Sequence, residues 1–311
     1  MTSAPPRILY LTGLGRSGST LLDNILDQID GVFTAGEIHY VWDRSLVDDR
    51  LCACGESFSR CPLWREVMAA FDADGDPVDP RRLAEIRERF TPLAALASRA
   101  RGRGAAEQTE LAPYVAAMAR LYRAIHRITG CRAIVDSSKS PAWGYLVESL
   151  PGFEFAAVHV LRDARASAYA WSKQMVYDPS GDEPMLMTQM SAIRSSRLWL
   201  KWNVAAELLW RRWPGGYLRL RYEDFVAEPR RVVGEVARLA LGEAPAALPF
   251  RGPAEVEMRT NHSLAGNPSR FKTGTVALRH DEAWRARLSR RHHLLVTALT
   301  WPLLMRYGYR L

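Results

Sequence analysis

RILYLTGLGRSGSTLL, residues 7–22, combines a short apolar run, a glycine-rich turn and the start of an amphipathic segment. The run Arg7–Gly13 is rich in β-prone residues and predicts a buried strand. Two glycines, Gly13 and Gly18, enclose four residues and precede a pair of hydroxyl residues. A strand, a glycine turn and a helix in this order are typical of a phosphate-binding loop at the start of an α/β domain.

The loop lacks the lysine of a nucleotide triphosphatase. Ser19 stands where such a loop places that lysine, and the nearest cation is Arg16, inside the loop. Backbone N–H groups and the N-terminus of the following helix bind anions, and a guanidinium suits two anionic oxygens. Ser17, Ser19 and Thr20 add hydroxyl donors. The stretch therefore predicts an anion site that differs from an ATP–magnesium site.

The composition is that of an ordinary globular protein, with 311 residues, 48% hydrophobic and 24% charged. This length accommodates one large α/β domain or two small ones. Four cysteines are too few for a disulfide scaffold, and the N-terminal apolar stretch is too short and broken for a signal peptide. His293–Met305 is too short to span a bilayer and contains Pro302, so we expect a buried or interfacial C-terminal helix. These features predict a cytoplasmic protein without a transmembrane segment.

The net charge is +8, much of it from arginine clusters such as Ser98–Gly104. A solvated surface is the usual explanation of such clusters, and attraction of anionic ligands is the functional one. Nucleic-acid binding needs basic residues interleaved with exposed aromatic residues, or a known module, and the sequence has neither. A small anionic cofactor suits the charge better, and we expect no nucleic-acid partner.

Strand-like and helical patterns alternate along most of the chain. The apolar, β-prone runs that predict strands are 7–13, 32–37, 131–138, 154–163 and 216–225. The amphipathic runs that predict helices are 19–29, 109–130, a segment from about 141, 164–175, 193–213 and 229–241. This order predicts an α/β protein with a P-loop-like three-layer fold, in which a central parallel sheet is flanked by helices.

The alternation breaks between residues 38 and 104, which hold three of the four cysteines, an acidic stretch and an arginine–glycine turn. We interpret 38–104 as a mostly helical cap inserted into a single domain, 1–311. Ligands of parallel sheets bind beyond the carboxyl ends of the strands, where the glycine loop falls. We expect Glu37, at the end of the second strand, to lie next to this loop.

The motifs and their order resemble those of sulfotransferases that use 3'-phosphoadenosine 5'-phosphosulfate (PAPS). RSGST, Arg16–Thr20, is similar to the family's 5'-phosphosulfate loop, and VLRDARASAYAWS, Val160–Ser172, to its 3'-phosphate segment. Further similar motifs are GE at 36–37, KSP at 139–141, RYEDF at 221–225 and NHSLAGNPSRFKTG at 261–274. The resemblance is weakest across the insertion. It implies a bacterial PAPS-dependent sulfotransferase related to the glycan and tyrosylprotein types.

The resemblance implies transfer of a sulfuryl group from PAPS to a hydroxyl or amine, giving PAP and a sulfated product. A sulfuryl group carries less charge than a phosphoryl group, so side-chain cations and backbone dipoles suffice to stabilise the leaving phosphate. Arg16 and Lys139 are the candidates for this role, and we expect no metal and assign no metal ligand. The family's Gly-Glu motif implies Glu37 as the general base, with His39 as the alternative.

The resemblance also implies a set of cofactor-binding residues, in which Arg162 binds the 3'-phosphate. Ala170 departs from the family's pattern, because a serine usually follows this arginine by eight residues. Ser167, three residues earlier on nearly the same helical face, is the candidate substitute. Arg270 and Lys272 would clamp the same phosphate. The full predicted set is Gly15, Arg16, Ser17, Gly18, Ser19, Thr20, Arg162, Ser167, Tyr222, Arg270, Phe271 and Lys272.

Three cysteines, Cys52, Cys54 and Cys61, lie close together, and Cys131 stands apart at a strand start. Three thiolates lack the fourth ligand of a structural zinc site unless a distant residue joins them. A disulfide or metal staple of the cap is one interpretation. Reduced structural cysteines are the interpretation that we prefer here.

Two other classes of function remain alternatives: a P-loop small-molecule kinase and a non-catalytic nucleotide-binding protein. The kinase would need the lysine that the loop lacks and a carboxylate for magnesium. Residues of the cap and of Tyr177–Met190 are expected to form the acceptor pocket. Small-molecule, glycan, lipid and peptide hydroxyls all remain candidate acceptors.

Overall fold

A computed structural model of the chain describes residues 5–92, 96, 105–178 and 185–311. Its centre is a five-stranded, wholly parallel sheet. The five strands are β1 Arg7–Thr12, β2 Val32–Gly36, β3 Ala133–Lys139, β4 Glu154–Leu161 and β7 Tyr217–Arg221. Across the sheet they lie in the order β2-β3-β1-β4-β7. The prediction of a parallel α/β sheet is therefore confirmed.

Alternation of side chains along the strands buries both faces of the sheet. On β1, Ile8 and Tyr10 point into one apolar cluster, whereas Leu9 and Leu11 point into a second cluster on the other face. Successive side chains of a strand alternate in this way, so a strand covered on both sides is apolar throughout. This is why the first run of the sequence has no polar–apolar alternation.

Helices cover both faces. The helices are α1 Ser19–Leu26, α2 Pro62–Ala73, α3 Pro80–Phe90, α4 Ala105–Thr129, α5 Pro141–Val147, α6 Ala164–Ser172, α7 Ala192–Trp210, α8 Tyr222–Ala227, α9 Pro229–Leu241, α10 Ala283–Arg287 and α11 Arg290–Arg306. Helices α1 and α9 supply residues to the cluster around Leu9, and α4, α5 and α7 to the cluster around Tyr10. The result is the predicted three-layer arrangement.

The described part of the predicted cap, residues 38–92, contains α2, α3, a 3₁₀ turn at Ile38–Tyr40 and a single π-helical turn at Val41–Ser45. Its large side chains, among them Trp42, Trp64 and Phe71, belong to the same apolar cluster as Ile8 of β1. The segment therefore packs directly onto one face of the sheet. Except for Leu96, residues 93–104 of the predicted cap lie outside the described residues.

Two small antiparallel ribbons were not predicted from the sequence. The strands β5 Val176–Asp178 and β6 Met185–Leu186 form one, and β8 Glu255–Met258 and β9 Gly274–Ala277 form the other. Residues 179–184, in the middle of the predicted acceptor segment, lie outside the described residues. The second ribbon holds the two ends of the motif-bearing loop 261–274 close together.

Several predicted element boundaries differ from those in the structure. The last predicted strand ends at Arg221, because Tyr222–Ala227 turns into the short helix α8. Helix α6 ends at Ser172, and Lys173 is already extended. Strand β3 lies between β2, which ends beside Glu37, and β1, which leads into the glycine loop, and Glu37 lines the same cleft as the loop.

The C-terminal helix α11 extends over Arg290–Arg306 and includes Pro302. Only one side of it is buried, through Val296, Thr300 and Leu304, whereas Trp301 is half exposed. The prediction of a C-terminal helix is confirmed. Among the residues that the structure describes, no helix is long and apolar enough to cross a bilayer.

Candidate active site

The carboxyl ends of the central strands open into one cleft of about 910 Å³. Predicted site residues that line this cleft are Gly15, Arg16, Gly18, Ser19, Thr20, Glu37, Lys139, Arg162, Tyr222 and Lys272. Four other predicted residues, all in the described part of the chain, lie outside its lining: Ser17, Ser167, Arg270 and Phe271. The fold thus gathers residues from six separate segments at one place.

The glycine loop is shaped by close backbone contacts. A Cβ on Gly13, where φ is 131°, would lie 2.3 Å from the carbonyl oxygen of Val160, and only glycine tolerates that approach. Gly18, with φ 91°, caps helix α1, and a Cβ there would lie 2.5 Å from the ring of Tyr222. The two glycines therefore let the loop curl tightly in front of the N-terminus of α1, a geometry suited to an anion.

Arg16 projects from this loop into the cleft. Its Nη1 donates to the sulfur of Met175 at 3.0 Å, and its guanidinium lies 5.1 Å from the ring centroid of Trp171. Within the described residues nothing accepts a hydrogen bond from its buried Nε and Nη2 atoms. Burial lowers the pKa of Arg16 from its ordinary value, an effect that the carboxylate of Glu37 opposes. The group nevertheless remains a cation at neutral pH.

Lys139, the last residue of β3, lies between the glycine loop and the end of β2. Its Nζ donates to Glu37 Oε1 at 2.5 Å and to the carbonyl oxygen of Ser137 at 2.9 Å. The side chains of the pair are 9% and 17% exposed, so this ion pair is largely shielded from water. Lys139 also has a left-handed backbone, with φ 68°. A proton acceptor and a cation thus stand together at the cleft.

A buried carboxylate shapes the strand end that carries Lys139. Asp136 accepts hydrogen bonds from Ser138 N at 2.8 Å, Tyr122 OH at 2.7 Å and Trp143 Nε1 at 2.8 Å. Complete burial raises the pKa of Asp136, although these hydrogen bonds act in the opposite direction. The network explains how an acidic residue is accommodated in a strand whose residues are all buried.

His39 lies two residues beyond Glu37 and also lines the cleft. Its ring packs on Tyr40 with centroids 3.7 Å apart, and among the described residues its Nδ1 has no hydrogen-bond partner. Burial, followed by the charges of Arg87, Arg44 and Lys139, lowers its pKa well below the ordinary value. The imidazole is therefore neutral at pH 7 and holds a proton weakly.

Arg162 follows the end of β4 and joins the glycine loop to the far wall of the cleft. It donates to the carbonyl oxygen of Arg16 at 3.1 Å and to Asp281 Oδ2 at 2.9 Å, and its guanidinium lies 4.6 Å from the ring centroid of Tyr222. Partial burial acts to raise the pKa of Asp281, but the hydrogen bond and charge of Arg162, with smaller contributions from Lys173 and the backbone of Ala283, together lower it. Asp281 has no motif around it, so no pattern in the sequence predicts its role.

Ala170, which stands where the family usually has a serine, lines the cleft. Ser167, the candidate substitute for that serine, is buried. Arg270 is also buried, with its guanidinium directed at the carbonyl oxygens of Gly266 and Leu51 and stacked on Phe271. These contacts are all within the protein. The proposed phosphate contacts of Ser167 and Arg270 therefore stay predictions.

The loop 261–274 passes directly beside Glu37. The N–H of Glu37 donates to Leu264 O at 2.7 Å, and a Cβ on Gly266 would lie 3.4 Å from Glu37 Oε1. Farther along, Lys272 lines the cleft. The loop also brings His262 to the three clustered cysteines, 201 positions after Cys61, a proximity that no spacing in the sequence signals.

Part of the cleft lining is apolar. It includes Met187, Met190, Leu198 and Trp202, which come from the predicted acceptor segment and from helix α7, together with the polar Thr188 and Arg194 of the same segments. The cationic and the apolar parts of the lining can accommodate a ligand with one anionic end and a second ligand with an apolar body.

Comparisons with known proteins show one matching family and several similar folds. The sequence model of the Sulfotransferase family matches residues 8–240. Among solved structures, the chain is similar to the sulfotransferase domain of the Synechococcus PCC 7002 olefin synthase, with 19% identity, a TM-score of 0.53 and coverage of 100% of this chain and 98% of that one. It is also similar to a sulfotransferase from Mycobacterium avium, with 13% identity, a TM-score of 0.47 and coverage of 99% and 79%. No curated protein matches the sequence significantly.

Proposed function

This chain belongs to the sulfotransferase family, and we propose that it transfers the sulfuryl group of PAPS to a hydroxyl or amine of an acceptor with an apolar body. PAP and a sulfated product would result. Family membership favours sulfuryl transfer over the small-molecule kinase and over the non-catalytic nucleotide-binding protein. The alternatives differ in chemistry, so one set of assays separates them.

One observation carries the proposal: buried donors without partners converge on the glycine loop. Among the described residues, nothing hydrogen-bonds to Arg16 Nε and Nη2 or to Arg162 Nε, and both arginines line the cleft. Buried polar groups in native proteins are nearly always paired, so such donors indicate an anionic ligand. The donors come from two strand ends, which suits a ligand with two separate anionic groups. The residues present therefore fit PAPS.

The loop residues Arg16–Thr20 would hold the 5'-phosphosulfate end through backbone N–H groups, hydroxyls and the guanidinium. When bound, PAPS supplies an activated sulfuryl group. The cations of Arg16 and Lys139 stabilise negative charge that develops at this end of the cleft, which is electrostatic stabilisation by preorganised groups. We therefore assign both residues to the transfer itself.

Glu37 is the proposed general base. Its carboxylate lies at the cleft and beside a cation, where it can take the proton of an acceptor hydroxyl at Oε1. His39 is the second candidate, because its ring is neutral and Nδ1 has no partner among the described residues. Burial lowers the pKa of His39 well below its ordinary value, so its ring is a weaker proton acceptor than an ordinary imidazole.

Arg162 would bind the 3'-phosphate, with Lys272 as a second cation on the same wall. Tyr222, under the guanidinium of Arg162, would contact the adenine. The apolar side chains of Met187, Met190, Leu198 and Trp202 in the cleft lining support an acceptor with an apolar body, such as a long-chain alcohol, a sterol or a phenol.

Calorimetric titration with PAP, in buffer without added magnesium, tests cofactor binding. We expect saturable binding that Arg16→Ala and Arg162→Ala weaken, while Arg211→Ala, an exposed arginine outside the cleft, serves as the matched control. Radiolabelled PAPS offered with a panel of alcohols, phenols, glycans and peptides then identifies the acceptor class. Absence of PAP binding, or turnover of ATP with magnesium, would refute the proposal.

A further inference from the structure

Cys52, Cys54, Cys61 and His262 bring their ligand atoms together outside the cleft. One ligand atom from each of the four lies within 4.8 Å of all the others. His262 Nδ1 is 3.2 Å from Cys61 Sγ and 3.8 Å from Cys52 Sγ. Among the described residues, this is the one group of three or more metal-binding side chains that is so arranged. We propose that these four residues bind one zinc ion, which fastens the loop 261–274 to the cap.

The separations suit a tetrahedral zinc site. Zinc bonds of about 2.3 Å to sulfur and about 2.0–2.1 Å to nitrogen imply about 3.8 Å between two sulfurs and about 3.6 Å between sulfur and nitrogen. The two measured distances from His262 Nδ1 lie close to the second value. Three thiolates and one imidazole form one of the standard ligand sets of structural zinc.

The local sequence arranges two of the ligands in one tight turn. Cys52 N donates to Glu56 O at 2.8 Å, and Gly55 N donates to Cys52 O at 2.9 Å. Gly55 has φ 92°, which the turn requires and which other residues rarely adopt. The turn therefore places Cys52 and Cys54, two residues apart in sequence, close enough for both to bind one ion.

The other two ligands come from a helix start and from the distant loop. Cys61 precedes α2, whose first residue is Pro62. Trp64 of the same helix donates from Nε1 to the carbonyl oxygen of His262 at 2.8 Å. This bond fixes the backbone of His262 next to Cys61, so the site is held in place by groups other than its ligands.

The donor set distinguishes zinc from the alternatives. A disulfide would use two of the three thiols and leave the third thiol and the imidazole without a role. Soft thiolates with imidazole select zinc rather than magnesium or calcium, which prefer oxygen ligands. Four protein ligands fill a tetrahedral shell, so the ion would be structural. The fourth ligand, His262, is not recognisable in the sequence, because it lies 201 positions after Cys61. Reduced cysteines were therefore expected from the sequence.

The ion would also hold the backbone that supports Glu37. Ala53, next to Cys52, donates from its N–H to Ser263 O at 3.2 Å. The next residue of the loop, Leu264, receives the N–H of Glu37 at 2.7 Å and donates its own N–H to Ala35 O at 3.0 Å. Loss of the ion would therefore loosen the loop that supports the proposed base and that carries Lys272 to the cleft.

Metal content of the purified full-length chain, produced without a histidine tag in zinc-supplemented medium, tests the proposal. We expect about one zinc ion per chain by plasma mass spectrometry, and release of this zinc when a mercurial reagent titrates the thiols of the folded protein. Cys61→Ser and His262→Gln should retain less than about a tenth of that zinc. Cys131→Ser is the matched control, since Cys131 is also buried but lies outside the cluster.

The wild-type measurements keep the test decisive even if a ligand variant fails to fold. A metal-free wild-type chain, iron in place of zinc, or a disulfide among the three cysteines in unreduced peptide mapping would each overturn the proposal. Zinc content is measured without PAPS or an acceptor. A chain that holds zinc but does not bind PAP would therefore refute the proposed function alone, and a metal-free chain that binds PAP would refute the zinc site alone.

Discussion

Lys139 and Glu37 form a shielded ion pair across the ends of two neighbouring parallel strands, with 2.5 Å between Nζ and Oε1. The strand order places Lys139 between Glu37 and the glycine loop. The proposed general base and a cation proposed for the transfer step are therefore adjacent. The pair is the geometric basis for assigning both residues to the transfer step.

Glu37→Gln should abolish most turnover while leaving PAP binding close to that of the wild type. Glutamine preserves the shape and can still accept a hydrogen bond from Lys139, but it cannot take the acceptor's proton. General-base catalysis contributes about 10²–10⁴-fold, so the rate should fall by this factor. Initial rates with radiolabelled PAPS and calorimetry with PAP provide the two measurements.

His39→Ala is the discriminating control for the general base. If His39→Ala were inactive and Glu37→Gln active, the histidine would be the base and our assignment would be wrong. A loss of rate of less than about tenfold in His39→Ala is the result that supports Glu37.

Asp281→Asn should tighten PAP binding, because the carboxylate of Asp281 competes with a phosphate for Arg162. The side chain is 38% exposed, so the competing interaction is worth no more than about 1 kcal/mol. Removing it should therefore improve affinity by up to about fivefold. Calorimetric titration with PAP measures the change.

Asp224→Asn is the matched control for this substitution, since Asp224 pairs with Arg221 outside the lining of the cleft. It should leave PAP affinity unaltered. Weaker binding by Asp281→Asn would mean that Asp281 orients Arg162 for the phosphate rather than competing with it.

Ala170→Ser should tighten PAP binding, because residue 170 lines the cleft and the serine usual at this position would add one hydrogen bond to the 3'-phosphate. A hydrogen bond to a charged group is worth about 1.5–3 kcal/mol, so we expect at least about a tenfold gain in affinity. Adenosine 5'-phosphosulfate, which lacks the 3'-phosphate, should bind both proteins equally well.

Ser167→Ala tests the competing hypothesis that Ser167 already serves this phosphate. The residue is 1% exposed and lies outside the cleft lining, so the substitution should leave PAP affinity nearly unchanged. A substantial loss of affinity specific to PAP, together with no gain from Ala170→Ser, would restore Ser167 as the ligand.

Stability should decrease as the pH falls because of a buried histidine. Burial lowers the pKa of His159 to about 4, against the hydrogen bond to Asn203, which raises it. The unfolded chain binds this proton below a pH of about 6.5, whereas the folded chain binds it only near pH 4. The burial of this imidazole therefore costs no stability above about pH 7. The free energy of unfolding decreases as the pH falls from about 6.5 toward about 4.

Urea unfolding at about pH 7.5 and about pH 5.5 measures the free energy of unfolding at the two ends of this interval. We expect His159 to account for about 1 kcal/mol of the decrease between them. His159→Gln, which removes the titrating group, should show a correspondingly smaller decrease in the free energy of unfolding. Equal pH dependence of the two proteins would contradict the assignment of a neutral, buried imidazole.

The layered fold was predictable because its signals are local. Apolar β-prone runs, amphipathic runs and a glycine turn each lie within a few consecutive residues, and a parallel sheet follows from their alternation. The same holds for Arg16, Arg162 and Lys139, whose positions at strand ends place them at one edge of the sheet. Chain order along the sequence does not specify strand order, so local signals could not place β3 between β1 and β2.

What only the tertiary structure decided depends on contacts between residues far apart in sequence. Asp281 meets Arg162 across 119 positions, and His262 meets Cys61 across 201. The orientation of α6 likewise decided that Ala170, and not Ser167, faces the cleft. The sequence determines by short-range pattern which elements form and which residues end them. Which side chains from different elements meet depends on how the apolar faces pack together, and that packing is set by all the elements at once.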